Sequence, residues 1–385
     1  MKVGLIRGAY LSQFEMQTYE KLLPYIDLEA YEIRCNRFDS SLIKVPVKKL
    51  RTIGGPLSIV NAWLGFYFNL FLQASCGLDY WHFGLLQSLA DKDIAHTMET
   101  FNAFSYQALK AKRKFGTKLV VTVWENRPFA AERFSAKRRM KYEVIRNADL
   151  FLAMTPRAAD CLLLEGANEN KIKVQPMGVD ISRFTPRPKP REVLDSLGFN
   201  EQDFVFLSVA ALRWEKGVFD VLYAFYSLLR ETQRKDIKLF LAGGGPAAAE
   251  LHKRSIRLGI QKQVIIKKFP YEKMHEAYNL ADVFILASVP RPGWQEQFGY
   301  VMPEALASGL PVISTLSGSI PEVIGNDAIL VPPADFRALA ENMRKTLIDT
   351  EYRERLAKKA RWRAERFFDS RQNAMQIRKA YERIV

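Results

Sequence analysis

Residues 287–314 read ASVPRPGWQEQFGYVMPEALASGLPVIS, and this stretch decides the fold class. The apolar run before it, Val283–Ala287, has the length and composition of a strand, and Pro311–Ser314 is predicted as the next strand. Pro303–Ser308 is predicted as a short helix, with proline in its first turn and Gly309 as its stop signal. The stretch therefore predicts strand, loop, helix and strand, the repeating unit of a parallel sheet.

Two glutamates lie in different parts of this unit. Glu296 falls on the loop and Glu304 in the first helical turn, because Gly299 and Pro303 interrupt any helix between them. Both follow a strand, and open α/β sheets bind ligands at the carboxyl edge of their strands. A carboxylate can accept both hydroxyls of a vicinal diol, and glycine lets backbone amides approach a diphosphate closely. The pattern favours a sugar nucleotide as the ligand.

The full stretch resembles the E-x7-E signature of retaining GT-B glycosyltransferases of family 4, with Glu296 and Glu304 at its ends. The resemblance implies an α/β fold in which two Rossmann-like, doubly wound parallel-sheet domains face a cleft. It also implies transfer of a sugar from a nucleotide diphosphate to an acceptor hydroxyl with retention and without a protein nucleophile. Glu296 would hold the transferred sugar, Glu304 the ribose diol, and Phe298 and Gly299 would contact the donor.

The segment Phe204–Gly217 resembles the loop of the same family that neutralises the donor diphosphate. Lys216 matches the family lysine directly, whereas Arg213 lies two residues after Ala211, which occupies the family arginine position. The resemblance gives Lys216 and Arg213 a catalytic role at the diphosphate, and a surface ion pair is the alternative for Arg213. Two looser assignments to the donor side are Gly243, in a glycine-rich turn after a strand, and Phe269, in a stretch that resembles the border of the nucleotide base.

Three residues are predicted on the acceptor and sugar side. Glu125 stands where many relatives carry the aspartate of a T-x-HD motif, and Trp124 replaces the histidine. Glu125 can still accept a hydrogen bond from a sugar or acceptor hydroxyl. His96 ends a predicted strand and can face the cleft, although a lone histidine is more often structural. Gly8 keeps the turn after the first strand permissive.

Alternating apolar and amphipathic segments predict two domains of βαβ units. The first, residues 1–185, is expected to bind the acceptor, and the second, residues 191–366, the nucleotide sugar. The proline-rich segment Pro186–Pro190 is predicted as a stiff linker, and the C-terminal helix, residues 367–385, is expected to pack back on the first domain. The predicted strands are Val3–Ile6, Tyr31–Arg34, Ile94–His96, Leu119–Val123, Leu150–Ala153, Ile172–Val174, Phe204–Val209, Lys238–Ala242, Val264–Lys267, Val283–Ala287, Pro311–Ser314 and Ile329–Val331.

Composition limits the environment of the protein. The 385 residues carry a net charge of +15 and three widely spaced cysteines, which predict neither disulfides nor a metal site and indicate a reducing compartment. The opening residues are predicted as a strand and not as a signal peptide. A nucleic-acid motif is not found, so an anionic membrane face or a polyanionic donor fits the charge better. These features predict a cytoplasmic protein, with peripheral association at the inner membrane face as an option.

Two stretches bear on membrane association. Leu57–Ala74 is mostly apolar, but polar or small residues recur every fourth position, which favours a buried or surface-dipping helix over a membrane span. The basic run Arg133–Ile145 is predicted either as a solvated helix face or as a patch for anionic lipid. By this reading the acceptor belongs to a membrane lipid or to a cell-envelope glycan.

Neither a metal nor an organic cofactor is predicted, and the nucleotide sugar, linked to UDP or GDP, is expected as substrate. Asp91-Lys-Asp93 resembles the metal-binding D-x-D of another glycosyltransferase fold, but it precedes a strand and is interpreted as a turn. Two alternative functions remain. One is a sugar-nucleotide epimerase of the same fold, and the other is a non-enzymatic binder of membranes or nucleic acid.

Overall fold

The computed structural model describes residues 1–34, 36–53, 64, 67, 68, 70–72 and 81–385. The chain divides into two compact units. Unit 1 comprises Met1–Gly178 together with Ser370–Val385, and unit 2 comprises Val179–Asp369. Each unit contains one parallel sheet, and we describe each by itself.

The sheet of unit 1 has seven described strands in the order β3-β2-β1-β4-β5-β6-β7. They are β1 (Lys2–Gly8), β2 (Asp27–Ile33), β3 (Val47–Leu50), β4 (Ile94–Met98), β5 (Lys118–Val123), β6 (Leu150–Ala153) and β7 (Ile172–Val174). The central strands are buried almost throughout, which is typical of parallel strands covered on both faces. The sequence did not predict β3, because the exposed Lys48 and Lys49 break the apolar run of this edge strand.

Helices cover the sheet of unit 1. Within residues 1–178 the described helices are α1 (Gln13–Tyr19), α2 (Leu85–Ser88), α3 (Ala103–Phe115), α4 (Ser135–Asn147) and α5 (Pro156–Leu164). Local sequence sets their ends. Thr155 caps α5 by accepting a hydrogen bond from the Ala158 amide, and Pro156 occupies the first turn. Gly116 ends α3 in the left-handed conformation.

Unit 2 has a six-stranded parallel sheet in the order β10-β9-β8-β11-β12-β13. Its strands are β8 (Phe204–Val209), β9 (Ile237–Ala242), β10 (Val264–Lys267), β11 (Val283–Leu286), β12 (Val312–Thr315) and β13 (Ile329–Val331). All six coincide with predicted strands to within one residue at each end. Their agreement follows from continuous apolar runs, which a strand buried on both faces requires.

The helices of unit 2 follow the strands in alternation. They are α6 (Arg191–Leu197), α7 (Val218–Thr232), α8 (Ala248–Arg257), α9 (Met274–Leu280), α10 (Val301–Ala307), α11 (Ile320–Ile324), α12 (Phe336–Ile348) and α13 (Thr350–Phe367). Helix α14 (Ser370–Glu382) belongs to unit 1. There the hydroxyl of Tyr381 lies 2.5 Å from Nδ1 of His96, in β4.

The division between the units corrects the predicted linker. It falls between Gly178 and Val179, ahead of the proline-rich segment. That segment packs on unit 2, because Lys189 donates to the Asp282 carboxylate at 2.7 Å and the Arg187 amide donates to Oδ1 of Asn279 at 2.8 Å. Residues 186–190 are therefore part of the second unit and not a free spacer.

The predicted basic patch also needs correction. Helix α4 carries Lys137 and Lys141, and both are buried. The ammonium group of Lys141 donates to Glu165 at 2.7 Å and to Glu132 at 2.9 Å, so this lysine is an internal ion-pair partner. Arg138 and Arg139 remain exposed on the same helix. The sequence showed how many charges the run holds, but not which of them face solvent.

The second membrane-related stretch, Leu57–Ala74, lies largely outside the described residues. Its predicted helix stays a prediction. Among the residues that the structure describes, no helix combines the length and the apolar character that crossing a bilayer requires.

Candidate functional site

Glycines bring three loops of unit 2 into contact at the carboxyl edge of its sheet. A Cβ atom on Gly217, after β8, would lie 1.7 Å from the carbonyl oxygen of Ala287, after β11. A Cβ atom on Gly243, after β9, would lie 1.9 Å from the carbonyl oxygen of Ala210. Gly243 thus permits close packing of the two loops, and its predicted contact with a donor stays a prediction. Together the loops fix the backbone around Glu296.

Glu296 is held by two side chains from neighbouring loops. Its carboxylate is 5% exposed, and its Oε2 atom accepts hydrogen bonds from Lys216 at 2.7 Å and from Ser288 at 2.6 Å. The backbone turn after it depends on Gly299, whose φ of +69° is in the left-handed region. Lys216 and Glu296 are 80 positions apart in the sequence and were predicted to lie in one site, and they are in direct contact.

Lys216 ends a short 3-10 turn, Trp214–Lys216, directly after β8 and its loop. Its side chain is 21% exposed, and its Nζ atom lies 4.9 Å from the centroid of the Trp294 ring. A carboxylate on one side and an aromatic face on the other orient this ammonium group. An oriented cation at a sheet edge is suited to bind an anionic group.

Glu304 lies in the first turn of α10 and is 2% exposed. Its Oε1 atom accepts a hydrogen bond from the hydroxyl of Tyr271 at 2.6 Å, and its Oε2 atom accepts one from Tyr278 at 3.0 Å. Burial, followed by the charge of Glu304, raises the pKa of Tyr278 well above its ordinary value. The two tyrosines therefore act as hydroxyl donors that hold the carboxylate in place.

Arg213 forms the surface ion pair that the sequence offered as an alternative. Its Nε atom lies 2.9 Å from Glu215, and its side chain is 54% exposed. Arg291 also reaches Glu215, at 3.7 Å. The ion pairs of both arginines thus go to Glu215, and a diphosphate role for Arg213 stays a prediction.

The two donor-side phenylalanines differ in their surroundings. Phe298 is 2% exposed and packs edge-on against Tyr300 and Phe368. The ring is part of the core, and the predicted contact of Phe298 with the donor stays a prediction. Phe269 is half-buried, with its ring 5.9 Å from that of Phe240.

His96, predicted on the acceptor side, is inside unit 1. The ring is fully buried, with Nε2 2.7 Å from the hydroxyl of Thr122 and Nδ1 bonded to Tyr381. Burial, and then the charge of Arg7, lowers the pKa of His96 well below its ordinary value. Both ring nitrogens have hydrogen-bond partners, which agrees with the structural alternative for a lone histidine, and an acceptor-side role for His96 stays a prediction.

The two other acceptor-side residues lie at the carboxyl edge of the unit 1 sheet. Gly8 has a φ of +58°, and a Cβ atom there would approach the Phe104 ring to 2.8 Å. Glu125 is 8% exposed, and both of its oxygens accept hydrogen bonds from Arg127, at 2.8 and 2.7 Å. Its charge is thus balanced within its own loop.

Sequence reasoning missed several side chains of these sites. Ser288 and Trp294 lie within the opening stretch and could have been noted as neighbours of Glu296. Tyr271 lies next to Phe269, in a segment already associated with the nucleotide. Tyr278 gave no signal, because an aromatic residue on an amphipathic helix is usually a core residue.

Comparison with known proteins relates the second unit to a family. Residues 191–363 match the family described as glycosyl transferases group 1. This segment, somewhat less than half of the chain, is similar to that family. It contains Lys216, Glu296 and Glu304, the three residues whose contacts define the site of unit 2.

Curated relatives agree with this assignment. An Escherichia coli (strain K12) protein, WcaL, named as a glycosyltransferase of colanic acid biosynthesis, is 32% identical over 236 residues, covering 59% of this chain and 55% of that protein. The mannosylfructose-phosphate synthase of Agrobacterium fabrum is 30% identical over 226 residues, covering 55% and 48%. The chain thus spans about half the length of the curated relatives it matches.

Solved structures identify the fold. The structure of Anabaena Alr3699/HepE in complex with UDP superposes with a TM-score of 0.79 at 19% identity, covering 100% of both chains. WaaG, described as a glycosyltransferase involved in lipopolysaccharide biosynthesis, gives a TM-score of 0.68 at 15% identity and covers 100% of this chain and 99% of that one. The predicted GT-B fold, with two Rossmann-like parallel-sheet domains, is confirmed.

Proposed function

We propose that this protein transfers a sugar from a nucleotide diphosphate to a hydroxyl of an acceptor. The observation that carries the proposal is the contact of Lys216 with Glu296 inside the segment that matches the group 1 family. Glu304 is close to Glu296 in the sequence, and two tyrosines hold its carboxylate in place. An oriented cation and two positioned carboxylates are the groups that a diphosphate and the hydroxyls of two sugars require. Several relatives and neighbours carry names of glycosyltransferases, which supports the same class.

In the proposed reaction the configuration at the sugar carbon is retained. The bond between that carbon and the leaving phosphate oxygen breaks, the acceptor oxygen forms the new bond on the same face, and the acceptor proton passes to the phosphate. Glu296 holds the transferred sugar and Glu304 the ribose diol, while Lys216 binds the diphosphate in place of part of its contact with Glu296. Positioning and charge stabilisation then provide the catalysis, without a metal or an organic cofactor.

The donor can be tested directly. Thermal unfolding in the presence of UDP, GDP and their common sugar conjugates should show a rise in Tm with one nucleotide, because a ligand of the native state stabilises it by mass action. UDP-glucose bound to Anabaena Alr3699/HepE makes UDP the first candidate. Conversion of the donor without any acceptor would favour an epimerase. Steeply salt-dependent binding of duplex DNA, without any nucleotide effect, would favour a non-enzymatic binder.

Separate roles for the two glutamates can be measured on the identified donor. Glu304→Gln should raise the dissociation constant of the nucleotide, and Glu296→Gln should lower kcat more than it weakens nucleotide binding. The amide loses the charge that strengthens these hydrogen bonds by about 1 to 3 kcal/mol, which corresponds to a change of about five- to 160-fold. Glu351→Gln, on the exposed surface of α13, is the matched control. Unaltered kinetics in both site variants would refute the assignment.

We further propose that the acceptor is a membrane lipid or a cell-envelope glycan and that the protein works on the cytoplasmic membrane face. Exposed arginines on and before α4 support this, namely Arg133, Arg138, Arg139 and Arg146. Each basic residue near an anionic surface contributes about 1 kcal/mol. The buried Lys137 and Lys141 do not contribute to such a surface.

Vesicle binding tests this proposal when only exposed basic residues are changed. The triple variant with Arg133, Arg138 and Arg139 changed to serine should bind anionic vesicles about a hundredfold more weakly than the wild type, since it loses about 3 kcal/mol. Co-sedimentation at low and high salt measures the effect, and neutral vesicles are the control. Equal behaviour of the protein towards anionic and neutral vesicles would mean that the net positive charge serves the donor instead.

A further inference from the structure

Glu99 occupies an unusual position at the carboxyl edge of the unit 1 sheet. It directly follows β4, and its φ of 59° places a non-glycine residue in the left-handed region. Such a conformation is disfavoured for residues with a side chain and concentrates at ligand-binding and active sites. Glu99 is also 6% exposed, so its carboxyl group is almost entirely buried. The disfavoured backbone conformation and the burial together indicate that contacts with the surrounding structure hold this side chain in place.

The two oxygens of Glu99 have different environments. Oε1 accepts hydrogen bonds from the amides of Trp124 at 3.0 Å and Glu125 at 3.1 Å, directly after β5. Oε2 is buried and has no hydrogen-bond partner among the described residues. Most buried polar atoms are paired, because an unpaired one costs free energy. One oxygen therefore fixes the carboxyl group, and the other is a buried, unfilled hydrogen-bonding position.

Glu99 lines a small pocket beside the sheet edge. Its polar walls include Glu125, Glu165 and Lys141, and Phe101 and Leu162 contribute apolar surface. Its cavity volume is about 10 Å³, which is the space of one water-sized group, so the pocket fits a single hydroxyl and not a sugar ring.

The other two carboxylates of the pocket already have cations. Glu125 pairs with Arg127, and Glu165 pairs with Lys141 at 2.7 Å. Within the part of the chain that the structure describes, Glu99 has no such partner. Burial, followed by the nearby charge of Glu125, raises the pKa of Glu99 to about 8. Near neutral pH its carboxyl group is therefore mostly protonated and can both donate and accept a hydrogen bond.

These surroundings select the ligand. The ammonium group of Lys141 in the wall disfavours a second cation, and the carboxylates disfavour an anion. A hydroxyl group is neutral and can donate and accept, and the carbon that bears it can lie against Phe101 and Leu162. We propose that this pocket binds one hydroxyl of the acceptor sugar and that Oε2 of Glu99 is its hydrogen-bond partner. The inference rests on the proposed function in that the acceptor is a sugar.

Direct binding tests the proposal without relying on turnover. The probes are the methyl glycosides of glucose, galactose and mannose, each with its monodeoxy analogues, titrated by ligand-observed NMR in the presence of UDP or GDP. We expect one glycoside to bind the wild type and one of its deoxy analogues to bind about tenfold more weakly. In the Glu99→Ala variant the same glycoside and its analogue should bind equally, because the removed hydroxyl has lost its partner.

The Glu99→Gln variant separates a direct contact from a structural role. Its amide keeps the oxygen that accepts from Trp124 and Glu125 and places an NH₂ donor where Oε2 lies, so we expect a dissociation constant within about threefold of the wild type and an intact preference for the hydroxyl. Glu143→Gln, on the outer part of α4, is the matched control. If Glu99→Ala does not fold, loss of the hydroxyl preference in Glu99→Gln overturns the proposal and its retention supports it.

Any one of three results would overturn the inference. They are an undiminished preference for the hydroxyl in Glu99→Ala, a preference lost in Glu99→Gln, and no glycoside binding to the wild type. The same samples report on the proposed function independently, because nucleotide binding is measured by thermal shift. Nucleotide binding without a Glu99 effect leaves the glycosyltransferase proposal standing, whereas absence of nucleotide binding contradicts that proposal.

Discussion

Replacing Lys216 by methionine should lower the kcat/KM of sugar transfer by about 10²- to 10³-fold, equivalent to about 3 to 4 kcal/mol of transition-state stabilisation. The ammonium group lies 2.7 Å from Glu296 and is oriented against the ring of Trp294. Methionine fills a similar volume, but it removes the positive charge that balances the leaving diphosphate and leaves Glu296 without its cation. Steady-state kinetics on the identified donor would measure the loss.

Two variants make this result specific. Lys216→Arg keeps the charge with a different geometry and should recover part of the activity. Lys262→Met removes an exposed lysine of the same unit and should leave kcat/KM unchanged. The assignment of Lys216 fails if its methionine variant is folded, by its unfolding temperature, and turns over the donor like the wild type.

Replacing Lys141 by methionine should destabilise unit 1 by about 3 to 5 kcal/mol, the usual cost of removing one partner of a buried ion pair. The side chain is 1% exposed and donates to Glu165, Glu132 and the carbonyl oxygen of Ala130. Without Lys141, the buried carboxylate of Glu165 has lost its cation. Chemical denaturation followed by fluorescence and circular dichroism would measure the change in the free energy of unfolding.

The controls change another residue of helix α4 and the second partner of the Lys141–Glu165 ion pair. Arg138→Met removes an exposed charge of α4 and should change the unfolding free energy by no more than about 0.5 kcal/mol. The double variant Lys141→Met, Glu165→Gln should be more stable than Lys141→Met alone, because it no longer buries an unpaired carboxylate. Equal stability of Lys141→Met and Arg138→Met would contradict the buried ion pair.

The strands of unit 2 could be predicted because a parallel strand must be apolar on both faces. Phe204–Val209, Val264–Lys267 and Ile329–Val331 have the predicted bounds. The edge strand β3, Val47–Leu50, escaped prediction for the converse reason, since a strand at the sheet edge tolerates exposed lysines. The division at Gly178 was also missed, because proline content reports the stiffness of a segment and not what it packs against.

The candidate site shows the same limit at the level of side chains. Glu296 and Lys216 could be placed in one site because both follow strands of one sheet and match a family motif. The burial of Phe298 and His96, the tyrosines around Glu304 and the unpaired oxygen of Glu99 could not be predicted. Each depends on side chains that come from segments distant in sequence.

The sequence alone predicted the fold class, the described strands other than β3 and the three residues, Glu296, Glu304 and Lys216, that we propose for the donor site. Spacing, apolar runs and glycines constrain the backbone locally, and local constraints are readable in a linear sequence. The tertiary structure alone decided which charges are exposed and which are paired. It placed Lys141 against Glu165 and Tyr381 against His96. Burial and pairing result from packing between distant segments, and the sequence does not encode that geometry locally.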